Sequence, residues 1–210
     1  LGYSQLMEQC LEEPEKLAQY TEVVAEEAKQ CSRIVQDLLN YARKDQCMGD
    51  TWDLNQLIQE VNDTFINCRL KRHKVTIETD LAPDVAEVMG GCGELDIVVT
   101  NLILNAIQAL KKVANPRVVL RTWMDSAGFV GACVEDNGPG VSQEERSSMF
   151  HPFFTTKDVG EYTGLGLYIS QAMLSKRGGF LLYDNEYTDG ARFVLKLPAG
   201  KANEPDHESS

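Results

Sequence analysis

Positive charge is scarce in this 210-residue sequence: 20 Lys and Arg stand against 32 Asp and Glu, a net charge of −12. Nucleic acid and anionic membranes both select for Lys and Arg, so a broad interface with either is excluded. No apolar stretch approaches the roughly 20 residues that span a bilayer, and no charged-then-apolar leader opens the chain. A soluble fragment with no membrane contact of its own is expected. Histidine is limited to His73, His151 and His207, and the six cysteines (Cys10, Cys31, Cys47, Cys68, Cys92, Cys133) form no CxxC pair and no metal-ligand spacing. Such cysteines read as reduced thiols of a cytosolic protein. With 43% hydrophobic and 25% charged residues, the composition is that of an ordinary globular chain of one or two domains. It starts at Leu1, without Met and inside a helical pattern, which is expected of a fragment with a sensor domain or membrane anchor upstream.

Residues 1–13 read as the end of one helix, residues 12–14 as a turn, and 15–44 as a long second helix with Pro14 near its start. In the second helix Leu17, Thr21, Val24, Ala28, Cys31, Val35, Leu38 and Ala42 alternate steps of four and three, a heptad seam. A hairpin cannot bury that stripe alone, and a dimeric four-helix bundle is the economical solution. The expected organisation is a helical hairpin at 1–45, a linker at 46–51, a domain at 52–198 and a disordered polar tail at 199–210. Within the domain, helices are expected over 54–70 and 94–112. Strands are expected over 75–79, 84–88, 118–124, 129–135, 180–184 and 191–197. Without a regular βαβ repeat, this mixture fits an α/β two-layer sandwich.

Three features carry chemistry. The apolar run of Glu94 to Lys112 is broken by Asn101, Asn105 and Gln108 at i, i+4 and i+7, one helix face. Buried amides need partners, and an amide oxygen facing a triphosphate can ligate Mg²⁺ without adding charge repulsion. A glycine-bearing turn, Asp136-Asn137-Gly138-Pro139-Gly140, follows a strand; a carboxylate there can accept from the exocyclic amine of adenine. A second, Thr163-Gly164-Leu165-Gly166-Leu167, opens a helix and offers bare backbone N–H groups to phosphate.

In this order, the three features resemble the N, G1 and G2 boxes of the ATP-binding domain of sensor histidine kinases, in the superfamily shared with gyrase, Hsp90 and MutL. Phe153-Phe154-Thr155-Thr156-Lys157 resembles the family's F box, and Gly190-Ala-Arg-Phe193 its closing strand motif. The resemblance implies a Bergerat-type fold, a mixed sheet with helices on one face, behind a partial dimerization and phosphotransfer hairpin. It implies that Asn105 holds Mg²⁺, that Asn101 faces the phosphates or the metal's water shell, and that Asp136 reads adenine in a pocket shaped by Gly138 and Gly140. Gln108, Lys157, Thr163, Gly164, Leu165, Gly166 and Leu167 complete the expected ATP site. Tyr162 stands where members usually carry another glycine. Gln108 stands where many carry Lys, although NAIQA is a pattern of nitrogen-regulation-type kinases.

The expected function is that of a histidine kinase core. ATP·Mg²⁺ would donate its γ-phosphoryl group to a histidine, for relay to the aspartate of a response regulator receiver domain, within a homodimer joined through the hairpin. The run LGYSQL resembles the segment just after the family's phosphoacceptor histidine, which is itself absent from the hairpin of this chain. The resemblance implies a cytoplasmic position, with a parent that could be an inner-membrane sensor. A gyrase- or MutL-type hydrolase is the alternative; there a Glu stands one turn before the metal Asn, where this chain has Asn101. A non-catalytic nucleotide-binding scaffold or phosphatase partner is the other.

Overall fold

The structure, a computed structural model, describes residues 5–7, 13–42, 51–68, 75–89, 92–156 and 163–200. Helix α1 (Pro14–Ala42) runs 29 residues. Pro14 sits in its first turn, where the missing N–H costs no hydrogen bond, and the Glu13 carbonyl accepts the Leu17 N–H at 3.0 Å. Along the expected seam Leu17 and Val24 are half-buried, while Thr21, Ala28 and Cys31 are exposed and Val35 is 54% exposed. The apolar stripe is therefore open at Ala28, Cys31 and Val35. Residues 46–50 of the linker expected at 46–51, and the residues from 201 onward, lie outside the described residues.

Five strands form the main sheet: β2 (Thr76–Leu81), β4 (Arg117–Met124), β5 (Phe129–Asp136), β6 (Phe180–Tyr183) and β7 (Ala191–Pro198), in the order β2-β4-β5-β7-β6. Among the described strands of this sheet only the β2–β4 pair is parallel. A parallel pair needs a crossover, and here it contains helix α3 (Cys92–Ala109). Alternation along β7 buries Ala191, Phe193, Leu195 and Leu197 and leaves the residues between them half-exposed. One sheet face thus meets α2 (Leu54–Cys68), α3 and α5 (Gly166–Ser175). The chain has the expected α/β fold, a mixed sheet with helices on one face. From α3, Leu95, Val98, Leu102 and Ile103 are 0–1% exposed, each stabilising the fold by about 1.5–3 kcal/mol relative to exposure.

The other sheet face carries ion pairs. Glu135, in the central strand, meets Arg121 at 3.1 Å and Arg192 at 2.9 Å, and Arg192 also reaches Asp184 at 2.9 Å. Burial, with the Glu135 carboxylate next, pushes the adjacent Cys133 thiol up to about 12, so it stays protonated and unreactive.

Two expectations change. The strand read at 84–88 shrinks to β3 (Val88–Met89), which pairs with β1 (Thr51–Trp52). Pro83 has no N–H to give a ladder, and Pro83-Asp84 forms a turn instead. Ala199 and Gly200, expected in the disordered tail, are tied into the domain: their N–H groups donate to Gly128 O at 3.0 Å and Glu87 O at 2.6 Å.

Candidate nucleotide site

A cavity of about 830 Å³ opens between α3, the turn after β5 and the start of α5. Asn101, Asn105 and Gln108 share its α3 wall, because the stripe that interrupts the apolar positions stays half-exposed at the helix edge. Asn105 has no hydrogen-bond partner among the described residues, so both ends of its amide are available to the cavity. The Asn101 Nδ2 donates to Gly166 O at 3.4 Å and Ser170 Oγ at 3.3 Å.

Asp136, the last residue of β5, is 5% exposed and lines the cavity. Its Oδ1 accepts from the N–H groups of Gly138 at 2.8 Å and Ala191 at 3.3 Å. Burial pushes the carboxyl above the ordinary aspartate value, and the two N–H groups pull it part of the way back. Both bonds fall on one oxygen, which leaves Oδ2 to accept from a ligand. Gly138 serves the site through this N–H rather than by lining the cavity, whereas Gly140 lines it. Gly190 lets the two strands close here: a Cβ on it would stand 1.9 Å from Asp136 O and 2.9 Å from Gly138 N.

The opposite wall is made by Thr163, Gly164, Gly166 and Leu167. Gly164 has φ +67°, and a Cβ there would lie 2.5 Å from the Phe153 carbonyl carbon and 2.7 Å from Phe154 O. The glycine turn therefore rests directly on the F-box backbone, where Phe153 itself takes φ 66° and is 67% exposed. Leu165, expected in the site, is 3% exposed and belongs to the core. Lys157 and Tyr162 lie outside the described residues. At Gly166 a Cβ would meet nothing closer than Asn101 at 3.7 Å. Protein packing does not demand glycine there, and no side chain caps the α5 N-terminus.

Sequence reasoning passes over a support behind the β5 turn. Val141 N–H donates to the Tyr183 hydroxyl at 3.4 Å, and Val141 O accepts from Arg146 Nε at 3.0 Å. The Arg146 guanidinium lies over the Tyr183 ring, 5.0 Å from its centroid. Arg146 ends α4 (Gln143–Arg146), which starts with a capping box between Ser142 and Glu145. That box is readable as Ser-x-x-Glu; the tyrosine, 42 residues on, is not. The Ser142 side chain, then its N–H, hold the Glu145 carboxyl below its ordinary value. Among the described residues no cluster of three or more His, Cys, Asp or Glu could hold a metal, and no helix is long and apolar enough to cross a membrane.

Known proteins resemble this chain in sequence and fold. Residues 93–201 match the family described as histidine kinase-, DNA gyrase B-, and HSP90-like ATPase, and residues 1–47 match the His Kinase A (phospho-acceptor) domain. The signal transduction histidine-protein kinase AtoS of Escherichia coli (strain K12) is 29% identical over 197 residues, 94% of this chain. The chain spans only 31% of AtoS. The catalytic domain of histidine kinase ThkA superposes with a TM-score of 0.63 at 27% identity, over 71% of this chain and 95% of that one. ThkA in complex with response regulator protein TrrA matches with a TM-score of 0.69 over 95% of this chain and 56% of that one, and at 24% identity shares the fold. The cavity thus lies in a domain of known kind, and the chain belongs to the histidine kinase-, DNA gyrase B- and HSP90-like ATPase family, with the family's ATP-binding domain following a phospho-acceptor domain segment.

Proposed function

We propose that this chain is the catalytic core of a sensor histidine kinase, which holds ATP with Mg²⁺ in the cavity and passes the γ-phosphoryl group to a histidine of the phospho-acceptor domain. The convergence on one cavity of a partnerless Asn105, a carboxylate with one free oxygen and a bare helix N-terminus carries the reading. Asp136 Oδ2 accepts from the adenine amine, while Pro139, Gly140 and Val141 wall the base. The first N–H groups of α5 and the Thr163-Gly164 turn receive the phosphates. Asn105 is the residue that would hold Mg²⁺, a hard cation suited to an amide oxygen; when bound, the ion offsets charge on the phosphoryl oxygens. Catalysis on this reading is positioning and charge stabilisation, with no covalent step asked of the protein.

Hydrolysis of the gyrase type is disfavoured by one observation. Asn101, at the position of the hydrolases' general base, cannot take a proton at neutral pH, and its amide nitrogen is already bonded to α5. Residues 1–47 contain no histidine, so the acceptor must be supplied. Radiolabelled ATP should leave no acid-labile phosphate on this chain alone, and should label a phospho-acceptor domain bearing its histidine when that is added. Label on His73, His151 or His207, or release of inorganic phosphate without an acceptor, would overturn the proposal. Homodimerisation through the hairpin and relay to a receiver domain extend the same reading.

A further inference from the structure

Two acceptors on α5 face one donor on α3. Gly166 O and Ser170 Oγ stand one helical turn apart, and Asn101 Nδ2, with two hydrogens, reaches both at 3.4 and 3.3 Å. Gly166 O can only accept, so the atom facing it is the nitrogen of Asn101, and the two acceptors together set the amide's orientation. Ser170 is 0% exposed: a hydroxyl kept at the centre of an otherwise apolar stretch of α5, beside Ile169, Met173 and Leu174. A buried hydroxyl is costly unless bonded, and the Asn101 amide supplies a bond. With its nitrogen turned to α5, Asn101 has only the carbonyl Oδ1 left for the cavity it lines.

We propose that Ser170 is a positioning residue that holds Asn101 as a pure acceptor, so that Asn101 serves the cation side of the bound nucleotide beside Asn105 rather than donating to phosphate oxygens. This inference rests on the reading of the cavity as an ATP·Mg²⁺ site. A carbonyl oxygen repels an anionic phosphate and attracts a cation or a cation-bound water. The role of Ser170 is therefore visible only when the metal is present. Without Ser170 only the longer contact, to Gly166 O at 3.4 Å, holds the nitrogen on α5, and the amide turns towards the phosphates more easily.

The test is the affinity of the full chain for the β,γ-imido analogue of ATP, measured by calorimetry in excess Mg²⁺ and in EDTA. Four forms are compared: the parent, Ser170→Ala, Asn101→Ala and the double variant, each checked by thermal unfolding. Losing one neutral hydrogen bond predicts about a two- to tenfold weaker affinity for Ser170→Ala in Mg²⁺. No loss is expected in EDTA, and no further loss on the Asn101→Ala background. Equal weakening with and without Mg²⁺, or additive losses in the double variant, would make Ser170 a packing residue and overturn the inference. An unchanged affinity in Mg²⁺ would overturn it too. A parent chain that binds no ATP analogue removes the underlying reading, an outcome seen before any variant is compared.

Discussion

Asp136→Asn tests the base pocket with the least disturbance to the fold. Two N–H groups, of Gly138 at 2.8 Å and Ala191 at 3.3 Å, point at Oδ1. An asparagine can keep both bonds only with its carbonyl oxygen in that place, which forces its NH₂ into the position of Oδ2. The polarity offered to the ligand then inverts from acceptor to donor, and it faces the adenine amine, another donor. A hydrogen bond to a charged group contributes about 1.5–3 kcal/mol, so ATP affinity should fall about 10- to 150-fold. A base with a carbonyl at the same ring position should gain relative to adenine. The fold should not suffer. Burial raises the carboxyl's pKa in the folded state above 3.8, so this group's stabilising contribution is full below the unfolded value and is lost as pH rises through the folded one. At pH 7 the carboxylate is a net cost that asparagine does not carry, and the thermal midpoint of the variant should be no lower than the parent's. Calorimetric titration with ATP and with GTP reads the affinities. A variant that binds ATP as tightly as the parent would refute the reasoning and make Asp136 a turn residue.

Asn105→Ala should abolish the Mg²⁺-dependent gain in ATP affinity while sparing binding in EDTA; equal loss in both conditions would make the residue structural. Gly190→Ala should disrupt the site from behind, since the new Cβ would meet Asp136 O at 1.9 Å and neither backbone can yield as a flexible side chain would. A destabilisation of about 1–3 kcal/mol by chemical denaturation is expected, with weaker ATP binding; a silent variant would show that β7 can shift freely. Adenosine binding should weaken as pH falls, starting above the ordinary aspartate range because burial raises the Asp136 carboxyl, and should lack this step in Asp136→Asn. Residues 1–210 should sediment as a dimer and a chain starting at Asp50 as a monomer, the open stripe that includes Val35 being the contact; a dimer in the short chain would place the interface on the ATP-binding domain.

Period and turn chemistry make much of this molecule legible. The segments 118–124 and 129–135 run largely apolar and 191–197 alternates, and these expected bounds fall within one residue of β4, β5 and β7. Asn101, Asn105 and Gln108 are expected on one helix face, and they share one cavity wall, because helical periodicity is a local property. The features that escape depend on tertiary register. Ser170 reads as an ordinary small residue until α5 is laid against α3, and Tyr183 as a core aromatic until β6 is placed under Val141. The 84–88 segment misleads because its apolar alternation continues past Pro83, where only a two-residue partner is available for pairing.

Beside the amide link between Asn101 and Ser170, a second tie joins α3 to the turn that follows α5. Near the start of α3, the Glu94 carboxylate accepts from Arg177 Nε at 3.0 Å and from its terminal nitrogen at 2.8 Å, with both side chains about a tenth exposed or less. Breaking a buried pair of this kind costs about 3–5 kcal/mol. Neither helix can therefore open to solvent without the other. The backbone amides of two segments 83 residues apart in the chain should exchange with deuterium as one cooperative unit, at a common free energy well above that of the chain ends.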